Sequence, residues 1–218
     1  MSLQGFQCAL ADLIADPRKC LLARHAPAQA LAEYALTERE RARLAAMVRD
    51  KGMSINCTLF RVNRLTPIYS VLPFTCRLLG PLLTAELDAF WAASQDATLQ
   101  YRWEAWRFGT WLLDRIESGQ VPHGPYEDAI RFELASYDAQ AQHLDTAAAP
   151  EQGRQRVLSL RYDPGLLFDP GLDAAALRPL EQPVTVVLDA SGDALVVRRI
   201  DAVPEGRSHG LMQPQLPA

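Results

Sequence analysis

The sequence predicts an α+β protein, an N-terminal multi-helix domain followed by a small, mainly antiparallel sheet of three strands. Three observations carry that reading. From Leu3 to about Ala139, apolar residues recur at the three-to-four spacing of buried helix faces. Beyond Ala139 that stripe stops, and Ala147 to Gly153 is a core-free run of Ala, Pro, Glu, Gln and Gly. The period then becomes two in Val157 to Tyr162, Val184 to Leu188 and Ala194 to Ile200, the alternation of strands. The expected boundaries are 1–139 for the helical domain, 140–154 for a linker and 155–202 for a small sheet domain of the peptide-recognition kind. Residues 203–218 are expected to be a disordered tail, because prolines and the lack of a pattern leave them no core to join.

Taken in order, Ser2 caps a first helix whose inward face is Leu3, Phe6, Leu10, Leu13 and Ile14, and Asp16-Pro17 ends it. A short helical piece, Arg18 to Arg24, follows. Thr37 and Glu40 have capping-box spacing, which predicts a helix from Glu38 to Asp50 that buries Leu44, Met47 and Val48 and leaves through a left-handed Gly52. The next stretch, MSINCTLFRVNRLTPIYSVLPFTCRLLG, organises the chain. Ile55, Leu59, Val62 and Leu65 read as the inward face of a core helix, and Pro67 and Pro73, which have no amide hydrogen, divide the run into a helix and two short turns before Gly80-Pro81. Among these apolar residues stand Asn56, Arg61, Asn63 and Arg64. Once covered, they need partners, either the ends of neighbouring helices or a second protein.

A helix beginning at Thr84 carries Leu87, Phe90 and Trp91, and Ser94 to Ala97 is a break. Leu99 to Ser118 is the longest unbroken helical pattern, and all four tryptophans fall between Trp91 and Trp111. That band is core, or part of it, including Trp103 and Trp106, faces a partner. Pro125 opens a last helix with Tyr126, Ile130, Leu134 and Tyr137 on one stripe and Asp128, Arg131 and Asp138 turned away. Asp163-Pro164-Gly165 and Asp169-Pro170-Gly171 are turns made by aspartate, and Leu172 to Leu177 reads as one turn of helix. Asp189 to Asp193 joins the second and third strands as a hairpin.

The chain has 218 residues, 22 basic and 26 acidic, for a net charge of −4. That balance repels a phosphate backbone, and Arg39, Arg41 and Arg43 are interleaved with Glu38 and Glu40 as on a solvated face, so nucleic acid is not the expected partner. No run of about 18 uninterrupted apolar residues suggests a membrane span, and the start lacks the form of a secretory signal. Cys8, Cys20, Cys57 and Cys76 each fall inside a predicted helix among apolar neighbours and read as reduced, mostly buried cytosolic thiols; a cytoplasmic location is the expectation. The four histidines have no metal-ligand spacing. Phosphate loop, GxSxG, HExxH and dinucleotide fingerprint are all missing, so the expected role is non-catalytic, with no metal and no cofactor in this chain. A three-stranded sheet with open edges points instead to capture of an extended peptide.

Phe60-Arg61-Val62-Asn63, Leu72-Pro73, Leu78-Leu79-Gly80, Phe108-Gly109, Leu113 and Phe132-Glu133 with Ala135, in that order, resemble the helical domain of the HvfC/BufC group. Within it, Gly52-Met53-Ser54-Ile55-Asn56-Cys57 and Arg64-Leu65-Thr66-Pro67-Ile68-Tyr69 look most like the MbnC family of companion subunits in methanobactin biosynthesis. The resemblance covers Leu3 to Ala139 and extends more loosely over the sheet. It implies a heterodimer with an MbnB-like, TIM-barrel iron enzyme that uses dioxygen to convert cysteines of an MbnA-like precursor peptide into oxazolone and thioamide groups of a copper chelator. The iron belongs to the enzyme. The sheet would hold the leader of the precursor along Val184, Val186 and Leu188 or along Leu195, Val197, Arg198 and Arg199. The enzyme would meet Asn56, Arg61, Asn63, Arg64, Tyr69, Trp103 and Trp106. An HvfC/BufC-type companion for a different cysteine-rich peptide is the near alternative, and DNA binding the remote one.

Overall fold

A computed structural model describes residues 3–94, 101–145, 155–171, 174–192 and 194–200. Among the described residues, nine α-helices precede three strands and a tenth lies between the first two strands: α1 (Leu3–Ala15), α2 (Pro17–His25), α3 (Pro27–Ala30), α4 (Glu38–Met47), α5 (Lys51–Val71), α6 (Pro73–Leu79), α7 (Leu82–Ala93), α8 (Tyr101–Glu117), α9 (Pro125–Asp145), β1 (Gln155–Leu160), α10 (Pro164–Leu167), β2 (Val184–Asp189) and β3 (Val196–Ile200). The protein is α+β, as its two periodicities predict. The expected tail 203–218, Ser2, Leu99 and most of the expected linker lie outside the described residues, as does the end of the Ser94 to Ala97 break.

Two compact units make up the chain, Met1–Pro67 and Ile68–Ala218. This division falls inside α5, far from the change of composition at Ala139, and residues 140–145, expected in a linker, continue α9. Proline sits at the division. Pro67 cannot donate to the carbonyl one turn back, which costs a helix about 3 kcal/mol. Here it removes one hydrogen bond without ending the helix, because Arg64, Ile68 and Val71 are buried on either side of it.

In the first unit, Ala9 and Leu13 of α1, Cys20 and Ala23 of α2, Leu31, Leu44 and Val48 form the core, with Met53 at the start of α5. Leu3, expected to point inward, is exposed. Asp16, rather than only stopping α1, caps α2, its Oδ1 accepting from the Arg18 amide at 2.8 Å. The expected capping box is present on α4: Glu40 Oε2 accepts from the Thr37 amide at 2.7 Å, and Thr37 Oγ1 from the Glu40 amide at 3.3 Å. Gly52 is not the left-handed exit that the sequence suggests. It lies in the first turn of α5 and donates to Asp50 Oδ1 at 2.6 Å, while positive φ is confined, among the described residues, to Gly80 and Gly119.

In the second unit, β2 is central, antiparallel to β1 and to β3 in the order β1-β2-β3. One face of this sheet packs on α9, where Leu160, Val184 and Val186 enclose Phe132 with Leu158 and Leu180. Phe132 lies tilted against Phe168 with centroids 4.1 Å apart, and Phe74 meets Phe168 edge-on at 5.1 Å, so α6, α9 and the end of α10 share one aromatic seam. Asp163 and Asp169 make turns, as expected, each accepting the amide two residues on, Gly165 and Gly171, at 2.8 Å.

Candidate functional site

Buried carboxylates on α9 set the position of the sheet. Asp128, expected to face solvent, is fully buried. Its Oδ2 accepts from the Arg161 amide at 2.5 Å and the Tyr162 amide at 2.9 Å, which closes the two amides just past the end of β1. Burial pushes the Asp128 carboxyl above its ordinary range despite these bonds. Burial acts the same way on the neighbouring Glu127, but there His123, Arg131 and Arg161 outweigh it and hold the carboxyl low. Arg156 in β1 pairs with Asp138 of α9 at 2.6 Å. Thus β1 is tied to the helix along its length.

The far edge of the sheet is different. Val196 to Arg199 of β3 are all exposed and Ile200 is half-buried. Cross-strand partners fix its faces: Val197 and Arg199 oppose Leu188 and Val186 on the α9 side, whereas Val196, Arg198 and Ile200 oppose Asp189, Val187 and Thr185 on the outer side. Arg198 and Arg199 therefore point to opposite faces, as adjacent strand residues must. Leu195, just before β3, is half-buried. One of the two expected docking edges is corrected: Val184, Val186 and Leu188 lie on a strand paired on both sides and are buried, so they cannot receive another strand.

The residues expected at a partner surface divide by exposure. Asn56, Asn63 and Tyr69 are exposed on α5, Arg61 is half-buried, and Arg64 is buried with its guanidinium against the Phe60 ring. Trp103 and Trp106 are half-buried and meet edge-on at 6.3 Å, while the fully buried rings of the aromatic band are Phe90 and Phe108. The largest departure from the sequence reading concerns α5 itself. Ile55, Leu59 and Val62, expected in the core, are 49%, 54% and 48% exposed, and the buried face is Met53, Arg64, Ile68 and Val71 with Cys57 and Phe60 half-covered. Both sets recur at helical spacing on nearly opposite sides of one helix, so periodicity fits either, and the sequence reading took the exposed stripe for the core face.

Among the described residues no cluster of three or more His, Cys, Asp and Glu side chains is placed to hold a metal ion, and no helix is long and apolar enough to cross a membrane. Among the described residues, the second unit carries an edge strand, β3, that pairs on one side only, and the first unit carries a helix face, Ile55, Leu59 and Val62, that is exposed. The protein is an α+β chain of two compact units. Comparison with protein-family models, with curated proteins and with solved structures finds no match.

Proposed function

We propose that this chain is the non-catalytic companion subunit of an MbnB-like iron enzyme and that it holds the leader of an MbnA-like precursor peptide while the enzyme converts cysteines of that peptide to oxazolone and thioamide groups. The observation that carries the reading is the edge of β3, which among the described residues pairs only with β2, in a sheet packed on the half-buried Phe132 of α9 and tied past the end of β1 to the buried Asp128. An anchored sheet with an unpaired edge strand binds an extended peptide through main-chain hydrogen bonds, and side chains alternating between the faces add selectivity. The motif resemblance in the helical domain supplies the chemistry of the complex, with the iron held by the enzyme.

Co-expression of this chain, tagged, with the iron enzyme is expected to yield a co-purified heterodimer, and recovery of the tagged chain alone would defeat the proposal. The edge is tested separately. Successive amides of an edge strand alternate between the neighbouring strand and solvent, so one of Val197→Pro and Arg198→Pro deletes an outward amide and spares the ladder to β2. The variant of the pair that keeps the native circular dichroism is expected to bind the leader peptide at least about tenfold more weakly. Unchanged affinity in that variant would remove β3 from the reading.

A further inference from the structure

We propose that the exposed stripe of α5 in the first unit, Ile55, Leu59 and Val62, is the surface on which the enzyme subunit seats, and that the enzyme receives it in a concave apolar groove whose rim is acidic or uncharged. This rests on the companion-subunit reading above and specifies the face that carries it. A helix with apolar stripes on opposite sides is a helix meant to be covered on both, and among the described residues only one side is covered. The neighbouring threonines extend the stripe. Thr58 and Thr66 spend their hydroxyls on the helix's own carbonyls, of Ser54 at 2.9 Å and Val62 at 2.8 Å, which leaves methyl groups to offer outward. Asn56 and Asn63, both exposed, flank the stripe with amides that need partners when covered.

Charge identifies the occupant. From Lys51 to Val71 there is no acidic side chain, in a chain whose net charge is −4, and Lys51 lies exposed one turn before Ile55. A basic rim around this stripe on the enzyme would be repelled; carboxylates would be drawn to it. Area argues against a second copy of this chain packed through the stripe alone. Three half-exposed aliphatic side chains offer on the order of 250 Å² per copy, so two copies face to face bury about 500 Å², below the roughly 1,200 Å² of a specific interface. A groove that wraps the helix also covers the asparagines and threonines beside the stripe, and so reaches the required area.

The test uses the full chain with the co-expressed iron enzyme. Leu59→Asp and Ile55→Asp are expected to keep the circular dichroism of the wild type and to weaken the complex at least about 100-fold, while Leu59→Met binds like wild type. Leu166→Asp, at an equally exposed leucine of the second unit, is the control and leaves affinity within twofold. Light scattering of the wild-type chain alone is expected to give a monomer. Enzyme binding by the wild type that persists unchanged in both aspartate variants overturns this inference and leaves the companion role standing. A wild-type dimer that Leu59→Asp dissolves overturns it in favour of a second copy, and failure of the wild type to bind the enzyme at all overturns both.

Discussion

At the scale of single residues, burial decides reactivity and tolerance. The Cys57 thiol is pushed up to about 11 and the Cys76 thiol to about 12, in each case chiefly by burial, with the adjacent Cys20 thiol and the Glu133 carboxylate adding to it. Cys57 also donates to the Leu13 carbonyl at 3.6 Å. Only the thiolate attacks an alkylating agent. Iodoacetamide at neutral pH is therefore expected to label exposed Cys8 first, with Cys57 and Cys76 modified at least about 100-fold more slowly, as peptide mapping by mass spectrometry would measure. That the cysteines sit in helices among apolar residues was legible from their neighbours; that Cys8 would stay exposed was not, because α1 is short of large residues on that side. Gly109 makes a second residue-level case. A Cβ built there stands 2.9 Å from Leu134 Cδ1, and Leu134 is buried, so it has no room to retreat. Gly109→Ala should cost about 1–3 kcal/mol despite the better helix propensity of alanine, measured as a lower urea midpoint.

At the scale of elements, the sequence was most informative where the signal is local. The capping box of α4, the three strands and the hairpin between β2 and β3 could all be read, since each depends on residues a few positions apart. Signals that depend on a distant partner could not. The start of α6 illustrates this: its N-cap, Leu72, has no side-chain acceptor, and the cap is supplied from α9. Glu133 accepts from the Phe74 amide at 2.7 Å and from the Thr75 amide and hydroxyl at 3.0 and 2.6 Å. Burial outweighs these bonds and raises the Glu133 carboxyl to about 7. A raised carboxyl binds its proton more tightly folded than unfolded, so its contribution is fully present below about 4.5 and is lost as pH rises through about 7. The full effect is bounded on the order of 3 kcal/mol. Glu133→Gln cannot titrate, and its amide group faces one donor. It should be less stable than wild type at pH 5 and close to it at pH 8 in urea denaturation. Equal pH dependence in the two proteins would show that Glu133 does not titrate in this range.

At the scale of the whole molecule, the change of periodicity predicted the class, and the arrangement of acidic side chains explains why it did not predict the organisation. Several carboxylates that a helical wheel turns toward water are structural: Asp128 and Glu127 hold the residues after β1, Glu133 caps α6, and Glu86 pairs with Arg115 at 2.8 Å. Sheet and helices 6 to 9 consequently form one compact unit, and the division of the chain falls at Pro67 instead of where the composition changes. Nothing in a period of two or 3.6 signals a buried acid. The same placement bears on the remote reading of the chain as a DNA-binding protein. Neutral pairs inside the protein do not alter its long-range field, which follows the net charge of −4, and several arginines are already engaged with protein groups: Arg24 with the Val48 carbonyl, Arg41 with the Leu31 carbonyl and Arg115 with Glu86. Affinity for duplex DNA grows from phosphates neutralised by basic side chains and weakens steeply with salt. Titration of a fluorescent 20-base-pair duplex, a probe length of about two helical turns, is expected to show no binding at low salt up to protein concentrations on the order of 100 μM, the weak end of nonspecific affinity. Saturable binding that weakens as salt is added would instead mean that a basic surface outweighs the net charge, and would restore nucleic acid as a partner.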